Sequence, residues 1–373
     1  MGKTMRALGL MSGTSLDGID IALVTTDGEG RVERGPSATV PYGAELRRRL
    51  AGALAEARAM TRRDQRPGTL AEVEHDMTIA HADVVADFLA RNAITRETVD
   101  VVGFHGQTVL HRPDQQLTVQ LGDGELLARL TGLDVVYDMR AADVAAGGQG
   151  APLAPVYHRA LTARLPARPI AVVNIGGVAN VTWIGRDGNL IAFDTGPGNA
   201  LIDDWMLRQT GRARDEDGTA GLAGRVHEDV VRFYLNHSYF ADLPPKSLDR
   251  NAFIPDLVDG LSVEDGAATL AAFTSGAIAR AREVVPEEPA LWVVAGGGRR
   301  NKAIMTGLAG LVQNAVVPAE AAGLDGDALE AEAWAYLAVR ALKGLPLTFP
   351  GTTGVSVPMT GGVLVRVAGR VDH

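Results

Sequence analysis

Asp194 ends the extended run Asn189 to Phe193 and is followed by Thr195-Gly196-Pro197-Gly198-Asn199, residues too small to shield it. A carboxylate placed at the end of a strand can take a proton from a bound water or hydroxyl. The same Asp could instead cap the helix expected from Asn199 to Thr210. Upstream, Leu8 to Met11 runs into Ser12-Gly13-Thr14-Ser15-Leu16-Asp17-Gly18, and Ile19-Asp20-Ile21-Ala22 runs out again. That turn brings together backbone N–H groups, the hydroxyls of Ser12, Thr14 and Ser15, and the carboxylates of Asp17 and Asp20. Unhindered N–H groups and hydroxyls suit phosphate oxygens, and Asp suits a hydrated Mg²⁺. An ordinary hairpin turn uses the same residue types.

A second turn of the same design lies at Asn174-Ile175-Gly176-Gly177, again between two apolar runs. Gly296-Gly297-Gly298-Arg299-Arg300-Asn301 follows a third apolar run and lets a ligand pack against bare backbone. It suits an adenine–ribose contact or a phosphate at the start of the next helix. The spacing is not that of a dinucleotide-binding fingerprint, and no P-loop of the form G-x-x-x-x-G-K-[ST] is present. Glu330 and Glu332 fall on a late helix; Glu330 is the candidate for the site and Glu332 is expected to be solvated. His105 follows a buried strand, a place that suits an active-site edge and a structural His equally.

These residues need a scaffold, and the chain repeats one. The apolar runs near residues 6 and 170 each lead through a polar turn, a second run, an Asp-Gly turn (Asp27-Gly28 and Asp187-Gly188) and a third run. Asp-Gly between apolar runs is a strong hairpin signal. Two three-stranded antiparallel meanders are therefore expected, each opening one of two similar domains, 1–165 and 166–373, joined near 164–170. Helices are expected over 44–59, 69–92, 124–131, 154–163, 199–210, 222–235, 263–284, 302–311 and 327–342. Short strands are expected at 101–104, 117–121, 133–137, 291–295 and 315–318.

Composition sets the outer bounds. A chain of 373 residues with 46% hydrophobic and 22% charged content can build two cores. It has no Cys, which excludes disulfides and thiolate zinc sites and suits a cytoplasmic setting. The N-terminus lacks the apolar core of a signal peptide, and no run approaches the length of a membrane helix. A net charge of −9 without a basic block argues against nucleic acid or a membrane as partner. Histidines and acidic pairs show no metal-ligand spacing.

Taken together, these strings resemble the anhydro-N-acetylmuramic acid kinases of the actin–hexokinase–sugar kinase superfamily. The landmarks are Gly9 to Gly18, His105-Gly106-Gln107-Thr108, Gln120-Leu121-Gly122, Asp143 to Pro152, Asn174 to Gly177, Phe193 to Asn199, Pro245-Lys246-Ser247 and Gly296 to Gly298. The resemblance implies an α/β fold of two ribonuclease-H-like (actin-like ATPase) domains around a central cleft. It implies use of ATP and Mg²⁺, an amino-sugar substrate, a role in peptidoglycan recycling, and a tendency to form a homodimer. By resemblance, the catalytic residues are Asp194, the general base, and Glu330, the second acidic residue, which helps to hold the water. ATP contacts fall to Gly13, Thr14, Ser15, Leu16, Asp17, Gly18, Ile19 and Asp20, to Gly176 and Gly177, and to Gly296, Gly297, Gly298 and Asn301. Sugar contacts fall to His105, Gly106, Gln107, Gln120, Arg140, Asp143, Gln149, Asn174 and Asp203. Two departures stand out. Ala141-Ala142 replaces arginines frequent after the position of Asp138, and Lys246-Ser247-Leu248-Asp249-Arg250 replaces the frequent Lys-Ser-Thr-Gly-Arg. Another sugar or small-acid kinase of the superfamily, or a nucleotide-gated binding module, would share the same phosphate turns.

Overall fold

A computed structural model describes residues 2–13 and 15–367. Thr14, an expected ATP contact, lies outside the described residues. The chain divides into two compact units: Met1–Ala163 with Ala328–His373, and Arg164–Asp327. This differs from the expected span 166–373, because the last part of the chain groups with the first unit. The physical reason lies in the first unit's sheet.

That sheet is built from β1 (Met5–Ser12), β2 (Gly18–Thr26), β3 (Val32–Pro41), β4 (Val101–Arg112), β5 (Leu117–Leu121), β6 (Val135–Tyr137) and the late β12 (Val363–Val365). β1, β2 and β3 form the antiparallel meander, and Asp27 shapes its second turn by accepting from the N–H groups of Glu29 and Arg31. β4 then lies parallel on the other side of β1, and β6 lies parallel to β4. A parallel step needs a crossover, which the helices α1 (Ala44–Glu56) and α2 (Leu70–Arg91) provide. α2 adds Val73, Met77, Val85 and Phe88 to the core that holds Leu8, Leu10 and Ile21. The short helices α3 (Gly124–Thr131), α4 (Ala141–Ala145) and α5 (Pro155–Leu161) complete the N-terminal part. β12 pairs antiparallel with β6, which ties the chain's tail to this sheet.

β4 is longer than the expected 101–104. It continues through His105-Gly106-Gln107-Thr108 because its second half pairs antiparallel with β5. Gly106, at φ +71°, has Leu121 O 2.2 Å from where a Cβ would stand, so the strand passes its partner there only as Gly.

The second unit repeats the scheme with β7 (Ile170–Ile175), β8 (Val178–Ile184), β9 (Leu190–Pro197), β10 (Leu291–Ala295) and β11 (Ala315–Pro318). Its order is β9-β8-β7-β10-β11, with the meander antiparallel and the last two strands parallel to β7. β9 extends past the expected Phe193 because β8 keeps pairing with it as far as Val178–Pro197. Helices α6 (Ala200–Thr210), α7 (Thr219–Ala223), α8 (Glu228–Leu235), α9 (Val263–Ala279) and α10 (Lys302–Leu311) surround the sheet's core of Val173, Val181, Phe193, Trp205, Phe273 and Trp292. The expected helix 222–235 is two pieces. Gly224 turns extended between them, where a Cβ would lie 2.0 Å from Glu264 O. Finally α11 (Leu329–Leu342) returns to the first unit and packs on β1, β2 and β4.

Candidate active site

In the first unit, the turn Gly13–Asp17 follows β1 directly. Leu16 sits at φ +56°, its N–H donating to Gly13 O, so the turn is tight. Leu16 and Ile19 are buried, and only their backbone is available to a ligand. Gly18 is required by packing, since a Cβ would stand 2.4 Å from Val40 O. Ser15 and Asp17 are exposed, and Asp17 pairs with Arg47 at 3.0 Å. Asp20 lies inside β2 and accepts from the Thr39 hydroxyl at 2.5 Å.

Behind the turn sits a buried polar row. The Ser12 hydroxyl shares a 2.7 Å hydrogen bond with the Tyr42 hydroxyl and donates to Gln107 Oε1 at 2.6 Å. Gln107 is fully enclosed and braces the turn. His105 Nδ1 stands 3.1 Å from Ser12 O, and its Nε2 faces Arg140 Nη2 at 3.1 Å and Nε at 3.3 Å. The His105 ring packs on Trp334 with centroids 4.5 Å apart, and the Arg140 guanidinium lies 5.2 Å over the same indole. Burial, then the neighbouring Arg140 charge, holds His105 well below the usual histidine range. Burial also brings Arg140 down to about 10, while the charges of Glu330 and Asp143 act the other way. Glu330 is exposed at the first turn of α11. Trp334 stands one helical turn further along, a residue that sequence reasoning missed.

Asp143 accepts from Gly150 N–H and from the Thr353 hydroxyl, both at 2.6 Å, and Gln149 N–H donates to Thr353 O. These bonds shape the Gly147–Gly150 loop. Gln120 Nε2 donates to the Thr108 and Thr118 hydroxyls, which leaves its buried Oε1 without a partner. An acceptor in that state suits a donor on a ligand.

Glu332 corrects the expectation of a solvated side chain. It is 2% exposed, accepts from the Tyr157 hydroxyl at 2.8 Å, and lies 3.5 Å from Arg34 Nε. α11 is apolar over most of its surface, so the side chain two residues past Glu330 turns inward and needs these partners.

In the second unit, Asn174, Asn180 and Asp194 are direct cross-strand partners in β7, β8 and β9. Direct antiparallel partners share a face, so the three polar side chains form one row. Asn180 was not among the expected site residues; alternation along β8 was the available signal. Asp194 is half-buried, and burial raises its carboxyl to about 6 against the opposing hydrogen bond from Leu248 N–H to Oδ2 at 2.8 Å. Its N–H donates to Lys246 O, and its carbonyl accepts from the Tyr239 hydroxyl. It does not cap α6, whose N-cap is Asn199. Asp203, on α6, is likewise raised to about 6, first by burial and then by Asp204.

The carbonyls of Gly176 and Gly177 accept N–H groups from Gly198, Asn199 and Ala200, which joins this turn to the start of α6. A Cβ at Gly296 would meet Asn174 Oδ1 at 2.4 Å, and one at Gly298 would meet Ile175 Cγ2 at 2.2 Å. Gly297 is exposed, and a Cβ there would meet only Asn199 Nδ2, at an ordinary contact distance of 3.8 Å. Asn301 is a helix cap: its Oδ1 accepts from Ala303 and Ile304 N–H. Arg299, whose side chain is 5% exposed, ties the Gly296 carbonyl to Glu320 and Asp327. Among the described residues, no three His, Asp or Glu side chains are grouped to hold a metal, and no helix is long and apolar enough to cross a membrane.

Each unit thus carries a ribonuclease-H-like sheet, a meander followed by parallel strands, with polar turns at the strand ends. Two such sheets in one chain define the actin-like ATPase and sugar kinase fold. The family model for anhydro-N-acetylmuramic acid kinase matches residues 5–366. Proteins of that name are similar along nearly the whole chain. The one from Rhizobium etli is 54% identical over 96% of this chain and 98% of its own. That from Agrobacterium fabrum is 54% identical over 98% and 100%. That from Nitrobacter winogradskyi is 56% identical over 97% and 100%. The chain belongs to the anhydro-N-acetylmuramic acid kinase family.

Proposed function

We propose that this kinase uses ATP and water to convert 1,6-anhydro-N-acetylmuramic acid to N-acetylmuramic acid 6-phosphate and ADP, a step of peptidoglycan recycling. The observation that carries the chemistry is Asp194. It is a half-buried carboxylate, raised to about 6, fixed by Leu248 N–H through one oxygen, Oδ2. Its basicity suits a group that must be ionised at neutral pH and still accept a proton. In this reading Asp194 takes a proton from water as the water oxygen bonds to the anomeric carbon. The bond from that carbon to O6 breaks, and O6 bonds to the γ-phosphorus as the β–γ bridge bond breaks to release ADP. Glu330 helps to hold the water. The polar turns Gly13–Asp17 and Gly176–Gly177 and the bare backbone at Gly297 are assigned to ATP. Gln120, whose Oε1 lacks a protein donor, is assigned to the sugar.

Mg²⁺ bound with the ATP phosphates would supply charge neutralisation in phosphoryl transfer. Asp20 is the carboxylate that fits it, since the Thr39 hydroxyl fixes its orientation beside the turn, whereas exposed Asp17 is drawn to Arg47.

The test is turnover in ¹⁸O-labelled water, with the product analysed before its anomeric hydroxyl exchanges. One labelled oxygen at C1, phosphate on the sugar's own O6 and one ADP per product are expected. A phosphorylated product without solvent oxygen would mark an ordinary hydroxyl kinase, and ADP release independent of any sugar would mark a nucleotide-gated module.

A further inference from the structure

His105 has both ring nitrogens engaged within the protein. Nδ1 faces a carbonyl, Ser12 O at 3.1 Å, and a carbonyl can only accept. Nδ1 therefore carries the proton. Nε2 is then a bare acceptor, and it receives two N–H groups of Arg140, from Nη2 at 3.1 Å and Nε at 3.3 Å. A third Arg140 donor, on Nη1, is held by Gly150 O at 2.8 Å. The guanidinium is thus fixed on two sides in its own plane, and its face rests 5.2 Å from the Trp334 ring centroid. Trp334 is four residues after Glu330 on α11, so both project from one face of the helix. Trp334 is itself pinned, packed on His105 and donating from Nε1 to Met11 Sδ at 3.0 Å. The charges of Glu330 and Asp143 favour the cationic form of Arg140. Asp143 is already committed to Gly150 and Thr353.

We propose that His105 is a positioning residue for the reaction: its unprotonated Nε2 holds the Arg140 guanidinium in register with Trp334, so that the cation stands against the face of α11 that presents Glu330. This rests on reading Glu330 as the second acidic residue. The arrangement also explains why a histidine stands here. A lysine or arginine would repel Arg140, and an aliphatic residue would leave its buried donors unpaired. Protonation of the ring would place a second cation against the guanidinium, and the neighbouring groups, Arg140 and His81, both oppose it. His105 acts through Arg140, since both of its ring nitrogens are engaged within the protein.

Two measurements test this. The first is a double-mutant cycle on kcat. His105→Phe keeps a ring against Trp334 and removes both nitrogens, and His105→Gln returns an amide oxygen near the Nε2 position. His105→Phe is expected to lower kcat by ~10–100-fold with the KM for ATP changed less than about threefold, and His105→Gln to recover most of it. In a Glu330→Gln background the His105→Phe loss should shrink to less than about threefold, because the group it positions is already gone. Full additivity overturns the proposal, since a loss through general destabilisation multiplies in both backgrounds. The second measurement is ¹⁵N NMR of histidine-labelled protein without substrate, with His105→Phe used to assign the signal. A protonated Nδ1 and bare Nε2 at neutral pH are expected, and a protonated Nε2 overturns the proposal. A wild type that turns over no anhydro-sugar would sink the substrate reading alone, and the NMR tautomer would then decide for or against His105.

Discussion

Gly9 and Gly103 are register partners in the parallel pair of β1 and β4, and the backbone of α11 lies directly on both. A Cβ at Gly9 would stand 1.8 Å from Ala331 O, and one at Gly103 would stand 2.1 Å from Trp334 O. The helix that carries Glu330 is therefore seated on bare strand backbone, closer than any side chain would permit. The contact sets the depth of α11 and hence the position of its first turn.

Gly103→Ala should consequently cost both stability and turnover. The clash is with backbone, so the helix must move as a body, and overpacking of this kind costs about 1–3 kcal/mol. Urea melts should show a lower midpoint with a similar slope. The folded variant should also lose kcat by ~10-fold or more, because shifts of an ångström at a reacting group are costly. A variant with wild-type turnover would separate the seating of α11 from catalysis.

Asp194→Asn should reduce turnover by ~10²–10⁴-fold, the usual worth of a general base, with little change in ATP affinity measured by calorimetry. The wild-type rate should fall as pH drops through about 6, where Asp194 takes up its proton. Stability should run the other way. The folded carboxyl titrates near 6 and the unfolded one near the ordinary value of 3.8, so the folded state binds the proton more readily. The group's contribution is therefore most favourable below the unfolded value and is lost as pH rises through the folded value. Asp194→Asn should gain stability relative to the wild type between pH 4 and pH 7, on the order of 2 kcal/mol, measured by denaturant unfolding at both.

Leu248 reaches the proposed base through its backbone. Its N–H donates to Asp194 Oδ2, and the carbonyl of Lys246 accepts from Asp194 N–H. Leu248→Thr with Asp249→Gly, which restores the pattern frequent in the family, should therefore leave kcat within about threefold, since surface and half-buried substitutions away from such bonds are mild. Leu248→Pro removes the N–H and should move the acid limb of the rate profile above its wild-type position, because the ionised carboxylate loses its donor. Equal profiles for the two variants would remove this hydrogen bond from the account.

Tyr157→Phe should destabilise by about 1–3 kcal/mol, because the buried Glu332 carboxylate loses a charge-assisted donor at 2.8 Å. Thermal unfolding reads the loss. Turnover of the folded variant should be close to that of the wild type, since Glu332 has no part in the proposed reaction.

What the sequence revealed, and what it hid, follows from the range of the forces involved. The two meanders were legible because Asp27-Gly28 and Asp187-Gly188 specify their turns locally. The helix over Lys302–Leu311 was legible from its own periodicity, although Asn301 gave no sign that its side chain caps that helix rather than serving a ligand. The burial of Glu332 was illegible, because a glutamate one position off the expected face looks solvated until Tyr157, far away in sequence, supplies its donor. The Asn174–Asn180–Asp194 row depends on strand register, which residue types alone do not settle. The allegiance of α11 was hidden for the same reason: its seat consists of two glycines remote in the chain, and glycine carries no hydrophobic signal.

That allegiance has a consequence on the ribosome. The sheet of the first unit begins with β1, residues 5–12, and lacks a wall until α11, residues 329–342, has been made. The intervening unit, 164–327, is complete earlier and is free to collapse while its predecessor still waits. During that interval the glycine-floored side of β1 and β4 has no helix upon it and is open to wrong partners. Synthesis order thus makes the first-translated half the last to finish, and a nascent chain stalled before residue 329 would present that unfinished sheet to chaperones and proteases.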